Sequence, residues 1–335
     1  MQANAEQIHR EAIVIDAVCP LLNNPKHLEL YRQGGLTAVA PTIGGFRPAG
    51  ETLRNIGLWL RMIRERDDLA LVRTAAEVER AKASGKLGII MHFQGTEPLE
   101  DSLDLVDAYK ELGVGIIQLS YNVKNRVGDG CEERTDAGLS RFGLQLIERM
   151  NKARVIVDCS HTGYRTTMEA IEASTAPVVF SHANPKAVHP SPRNIQDDQY
   201  KAVAATGGLV GIVGYPAFVS SSPKPTMDEF IDHIEYAVKL IGIDHVGLGI
   251  DYFEGMHPIS PLQVAQERYA AFIESGAWSP KSYPPPPYHY PEGIETPATF
   301  QNLTAGLVRR GYGADDVRKL LGGNWVRVYR AVWGE

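Results

Sequence analysis

Short β-branched apolar runs alternate with stretches of helical periodicity along the chain. The runs are Ala12–Ile15, Leu36–Ala40, Leu87–His92, Gly115–Ser120, Val155–Asp158, Pro177–Phe180, Gly208–Val213 and His245–Gly249. They lack the strict polar alternation of a half-exposed sheet, so they read as parallel strands covered on both faces. Between them, apolar residues recur at helical spacing over Glu51–Arg66, Ala75–Ser84, Ser102–Leu112, Ser140–Lys152, Gly163–Thr175, Asp197–Ala205 and Met227–Ile241. Leu303–Arg310 and Ala314–Ala331 read as closing helices. Eight strands joined by right-handed helical crossovers predict a (β/α)8 TIM barrel. A doubly wound sheet would place a glycine-rich fingerprint after its first strand, and none follows Asp16. The expectation is one barrel domain over residues 1–335, with a Pro-rich insertion at about 259–299. That insertion, which holds Pro284–Pro287, reads as a solvated excursion or an active-site lid.

Barrels of this kind carry their chemistry at the carboxyl ends of the strands. In chain order those ends hold Asp16-Ala-Val-Cys19, the Thr42 region, Gln94, Tyr121-Asn122, His161, His182, Tyr215 and Asp251. Two of them share a pattern. Val155-Ile-Val-Asp-Cys-Ser-His161 and Pro177-Val-Val-Phe-Ser-His182 both end in Ser-His and flank one helical stretch. A single βαβ unit therefore brings two imidazoles to one rim, and a metal ion is the simplest reason for such a pair. A hydrogen-bonded pair in a pocket that only binds is the alternative. His9, His27, His233, His245, His257 and His289 fall on helices, strand starts or loops and read as solvated or capping, whereas His92 and His189 sit nearer the rim. Cys19 reads as a small buried residue, and the Gly128–Arg134 loop with Cys131 as solvated but within reach of a substrate.

Composition narrows the class. A hydrophobic content of 44% supports a large core, and a net charge of −6 offers no field for nucleic acid. Three cysteines without paired spacing argue against a disulfide framework and for a reducing compartment. Met1–Ala12 lacks the apolar segment of a signal peptide, and no apolar run approaches the roughly 20 residues of a membrane helix. A cytoplasmic enzyme acting on a small molecule, without a membrane partner, is expected.

Further pieces complete a recognisable set: His189-Pro-Ser-Pro-Arg-Asn194, Asp198, Gly208-Leu-Val-Gly211, Asp232-His233, Ile243-Asp-His-Val-Gly-Leu-Gly249, Asn302-Leu-Thr304, Arg309-Arg-Gly311 and Leu321-Gly-Gly-Asn324. With the two Ser-His strands and Asp251, the chain resembles the membrane (renal) dipeptidase family, metallopeptidases of the amidohydrolase-type barrel, over nearly its whole length. The resemblance implies that His161 and His182 hold a metal ion, that Arg193 grips a substrate carboxylate, and that Asp251 handles the proton of an attacking water. It also implies a homodimer. Asn194 and Tyr215 are assigned to substrate binding beside Arg193.

The departures from the family's pattern matter equally. The family's first strand ends in a His-x-Asp pair that holds a second metal; here Val18 and Pro20 stand at those positions and cannot ligate. The bridging glutamate after strand three is Gln94, whose amide supplies no charge to offset two cations. The strand-four histidine is Tyr121, a hydrogen-bond donor for an oxyanion. The reading is a metal-dependent hydrolase of a dipeptide or similar carboxylate-bearing substrate, with Asp251 and Tyr121 catalytic. One zinc ion is expected, held by His161, His182 and Asp251 with Gln94 nearby; another divalent metal, or none, is the alternative. A metal-free binder or non-hydrolytic relative is the second reading.

Overall fold

The computed structural model describes residues 4–335, so the first three residues of the polar opening stretch lie outside the described residues. Every barrel pairing is parallel. Ile15–Asp16, Ala38–Val39 and Leu87–Ile89 pair in that order. Thr42–Gly44, Met91–Phe93, Val114–Gln118, Ile156–Asp158, Val178–Phe180, Leu209–Ile212 and Val246–Leu248 continue in sequence order. The last strand returns to the first, because the Ala17 amide donates to the Leu248 carbonyl at 3.3 Å and the Ile250 amide to Asp16 Oδ1 at 2.8 Å. The fold is a (β/α)8 TIM barrel, with all eight expected strands in place.

Two barrel strands come in two pieces. Pro41, which has no amide to donate, separates Ala38–Val39 from Thr42–Gly44, a segment that read as loop from the sequence. Leu69–Leu71 is an additional strand on Leu87–Ile89, too short and too charged in its surroundings to be read in advance. Helices Ala75–Ser84 and Met227–Ile241 begin and end as expected, each started by a capping box, Thr74 with Glu77 and Thr226 with Glu229. Helices Ala5–Glu11 and Leu28–Gln33 are additional elements.

The C-terminal segment differs from the continuous helix expected. It breaks at Lys319–Gly323, where a Cβ on Gly322 would lie 2.5 Å from the Ile13 carbonyl oxygen. Beyond the break, Asn324 and Trp325 donate to the Val246 and Leu248 carbonyls of the last strand. Two histidines read as solvated are instead buried. His9 bonds Thr304 Oγ1 and the Gly34 carbonyl, and His233 bonds the Val219 carbonyl at 2.8 Å.

The chain leaves the barrel at Met256–His257 and returns at Tyr288–His289, two short strands that pair with each other. Between them lie helix Leu262–Glu274 and a stack of three rings. The Phe272 and Trp278 ring centroids are 4.4 Å apart and those of Trp278 and Tyr283 are 4.3 Å apart, both pairs stacked nearly parallel. The insertion is therefore an ordered lid across the barrel mouth. Among the described residues no helix is long and apolar enough to cross a membrane.

Candidate active site

The site is built where strands stop. Asn122, His161 and Asp251 follow strands four, five and eight, and all three have positive φ, at 56°, 64° and 64°. That backbone costs a side chain about 1–2 kcal/mol and turns each residue sharply off its strand toward the barrel axis. Close packing narrows the rim beside His182: a Cβ on Gly211 or Gly249 would stand 2.2 or 1.9 Å from the Ser181 carbonyl oxygen.

His161 and His182 face each other with 2.8 Å between their Nε2 atoms. Their outer nitrogens fix what those atoms carry. Asn122 Nδ2 donates to the Ala277 carbonyl at 2.8 Å, so its Oδ1 is the atom 2.7 Å from His161 Nδ1 and accepts the ring proton. Ser181 Oγ donates to Asp158 Oδ2 at 2.5 Å, so at 2.7 Å it accepts from His182 Nδ1. Burial works against the Asp158 charge, yet the hydrogen bond and charge of His92 hold its carboxyl well below the usual range. Both outer nitrogens are thus placed to donate a proton, while the 2.8 Å between the Nε2 atoms is a hydrogen-bond distance, so that point takes either a proton shared by the two rings or a cation. Burial, aided by the Arg193 charge, pushes both pKa values well down.

Asp251 does not join that pair. Among the described residues no three His, Cys, Asp or Glu side chains converge, so the expected set of His161, His182 and Asp251 is not assembled. Asp251 lines the neighbouring cavity with its carboxyl against Gln94, and burial, reinforced by Asp16 and opposed by Arg193, pushes its pKa up to about 8. Gln94 Oε1 accepts from Thr42 Oγ1 at 3.0 Å, which spends the amide on neighbours instead of on a cation.

The cavity occupies about 530 Å³. Tyr121, Tyr215, Phe253, Trp278 and Tyr283 form its aromatic wall, and Gln94, Glu97 and Asp251 supply polar groups. The Tyr121 ring stacks on His161 at 3.9 Å, and its hydroxyl accepts from Trp278 Nε1 at 2.9 Å, leaving the phenolic proton free to donate. Arg193 is 2% exposed behind Tyr283. Its Nε donates to the Tyr283 hydroxyl at 3.1 Å, and its Nη2 is buried without a partner. Asn194 turns away, donating to the His189 and Phe218 carbonyls, so it shapes the loop and does not line the cavity. Tyr215 lies at the centre of the aromatic wall with its hydroxyl buried and unpartnered.

The donor set offers two imidazole nitrogens to a single divalent cation. It does not fit the two-metal centre implied by the resemblance, because Val18 and Pro20 offer no ligand and Gln94 no charge. Several groups that shape the site went unassigned from the sequence. Asp158 and Ser181 lie inside the Ser-His motifs, where closeness to a histidine was the available signal, and Asn122 stands at the end of strand four beside Tyr121. Trp278 and Tyr283 had none, since nothing local tells which ring of a Pro-rich insertion folds inward.

Comparison with known proteins identifies the family. The model of the family described as membrane dipeptidase (peptidase family M19) matches residues 39–267 and 287–333, which leaves 268–286 of the lid between the matched segments. An uncharacterized dipeptidase of Schizosaccharomyces pombe, C965.12, is 32% identical over 289 residues, covering 84% of this chain and 62% of its own length. Dipeptidase tcpJ of Claviceps purpurea is 28% identical over 286 residues, 84% of this chain and 60% of its own length. The chain thus spans about three fifths of those two relatives. The crystal structure of an amidohydrolase from Pseudomonas aeruginosa superposes with a TM-score of 0.91 at 36% identity, over 99% of this chain and 100% of that one. With the family model matching most of the barrel and the histidine pair standing on its fifth and sixth strands, the chain belongs to the membrane dipeptidase family, peptidase family M19.

Proposed function

We propose that this chain hydrolyses the amide bond of a dipeptide or a similarly small carboxylate-bearing substrate, with one divalent cation, zinc foremost, at His161 and His182. The observation that carries the reading is the meeting of two Nε2 atoms at 2.8 Å with both outer nitrogens bonded to Asn122 and Ser181, so that a cation can replace the proton between the rings. Held there, a divalent cation supplies Lewis acidity, polarising the scissile carbonyl and acidifying water. The chain's own residues do the rest. Arg193 exchanges its bond to Tyr283 for the substrate's terminal carboxylate, which its planar fork matches in two hydrogen bonds. Tyr121 donates its free proton to the developing oxyanion. Asp251, when ionised, takes the proton of the attacking water and delivers it to the leaving amine. Trp278 and Tyr283 exclude bulk water above them. A homodimer in the cytosol completes the proposal.

The test is a panel of dipeptides and N-acyl amino acids offered to the purified protein with zinc or manganese. Turnover that is lost in Asp251→Asn and in His182→Gln supports hydrolysis. Binding of panel members without turnover under any metal makes the barrel a binder with an enzyme's fold.

A further inference from the structure

The lid touches the barrel at the atoms the site would use. Asn122 Nδ2 donates to the Ala277 carbonyl at 2.8 Å and to the Tyr283 hydroxyl at 3.0 Å, and that hydroxyl lies 3.3 Å from Asn122 Oδ1. Arg193 Nε donates to the same hydroxyl, and Trp278 Nε1 to Tyr121. The stacked rings of Phe272, Trp278 and Tyr283 tie helix Leu262–Glu274 to the segment that makes these contacts. His161, His182 and Arg193 are buried beneath, so a substrate reaches them only when these contacts part.

Asn122 stands at the junction. Its amide has two orientations of nearly equal shape, and the Ala277 carbonyl, which can only accept, selects the one with Nδ2 toward the lid. Oδ1 is thereby turned to His161 Nδ1 at 2.7 Å, and the ring proton is drawn to that nitrogen. We propose that Asn122 is a positioning residue through which closure of the 258–287 lid sets the tautomer of His161. With the lid closed, His161 Nε2 is an electron-pair donor facing His182. With it open, the amide loses both lid partners, and its orientation and the ring tautomer are released together. Cation capture and lid closure then stabilise each other, as linkage requires of two events that favour one state. The cation's role rests on the function proposed above; the tautomer coupling does not.

Asparagine also suits the left-handed backbone at this position, where φ is 56°. Asn122→Gly keeps that backbone and removes only the amide. The experiment uses the full chain with 15N-labelled histidine, the His161 signals being identified by their loss in His161→Gln. Long-range proton–nitrogen spectra without metal distinguish Nδ1–H from Nε2–H. Wild type should show His161 protonated at Nδ1, whereas Asn122→Gly and the lid variant Tyr283→Phe should show mixed tautomers. Unchanged His161 signals in both variants overturn the proposal. Titration with Co2+ alone then tests the consequence: about 10–100-fold weaker binding in Asn122→Gly, and Co2+-dependent slowing of hydrogen exchange across 275–283 in wild type but not in that variant. Equal Co2+ affinity, or lid exchange indifferent to Co2+, refutes the linkage. Failure of wild type to bind Co2+ removes the metal-dependent function while the tautomer spectra still decide the role of Asn122.

Discussion

Arg193 is a buried cation that no carboxylate among the described residues reaches at salt-bridge distance, and replacing it should move stability and ligand binding in opposite directions. Among the described residues no carboxylate pairs with it; the guanidinium has the Tyr283 hydroxyl at 3.1 Å, the Phe218 ring at 5.2 Å and an unpartnered Nη2. A buried donor left unsatisfied costs about 1–3 kcal/mol, and more when charged. Arg193→Met keeps the apolar stem against Phe218 and removes the charge, so the ligand-free protein should gain about 1–3 kcal/mol. At about 2.1 cal/mol/K per residue, unfolding 335 residues carries about 0.7 kcal/mol/K of entropy, so Tm should rise by about 1–4 °C.

The ligand side runs the other way. A carboxylate bonded to this guanidinium gains about 1.5–3 kcal/mol per charged hydrogen bond, so Arg193→Met should weaken dipeptide binding by about tenfold to 150-fold or more. Arg193→Lys keeps the charge but loses the fork, and should fall between wild type and Met. Calorimetric melting without ligand and isothermal titration with a bound panel dipeptide read the two quantities separately. A Tm that drops by several degrees together with unchanged dipeptide affinity would show that Arg193 holds the loop and the lid, and the clamp would be withdrawn.

Elemental analysis of protein dialysed against zinc should find at most one tightly held ion per chain, since Val18, Pro20 and Gln94 remove a second set of ligands; two would refute the one-cation assignment. Asp251 has a pKa raised to about 8, so its basic form grows about tenfold per pH unit below that value and kcat/KM should climb through pH 6–8 to a plateau, with Asp251→Asn reducing turnover about 10²–10⁴-fold; a flat profile would take the base role from it. His233 is buried with its pKa lowered to about 4, so its contribution to stability is complete above the unfolded value near 6.5 and is lost as pH falls toward 4, by up to about 3 kcal/mol. Urea melts at pH 7 and pH 4.5 should show that loss in wild type and a smaller one in His233→Gln.

What the sequence disclosed and what it withheld divide along a physical line. Strand–helix alternation is written in local periodicity, so the barrel and its order could be read from runs such as Val155–Asp158 and from helical spacing such as that of Met227–Ile241. The pairing of His161 with His182 followed from the same logic, because one βαβ unit sets two strand ends side by side. Proton positions are not local. The Nδ1–H of His182 depends on Ser181 and on Asp158, whose carboxyl belongs to a different strand and is steadied by His92 from a third. The Nδ1–H of His161 depends on an amide turned by a carbonyl 155 residues further along the chain. Asp251 shows the same limit in reverse. Its strand-end position suggested a ligand, but a left-handed turn and burial against Gln94 send its carboxyl to the cavity, where a raised pKa suits it to carrying a proton and not to binding a cation. The lid adds what no strand-end motif contains, a set of partners for Arg193, Asn122 and Tyr121 drawn from 277–283, inside the segment the family model leaves unmatched. The chemistry of this site is therefore set jointly by the barrel and by a lid whose residues 268–286 the family model leaves unmatched, and variants in the lid should change the electronic state of a histidine on the barrel.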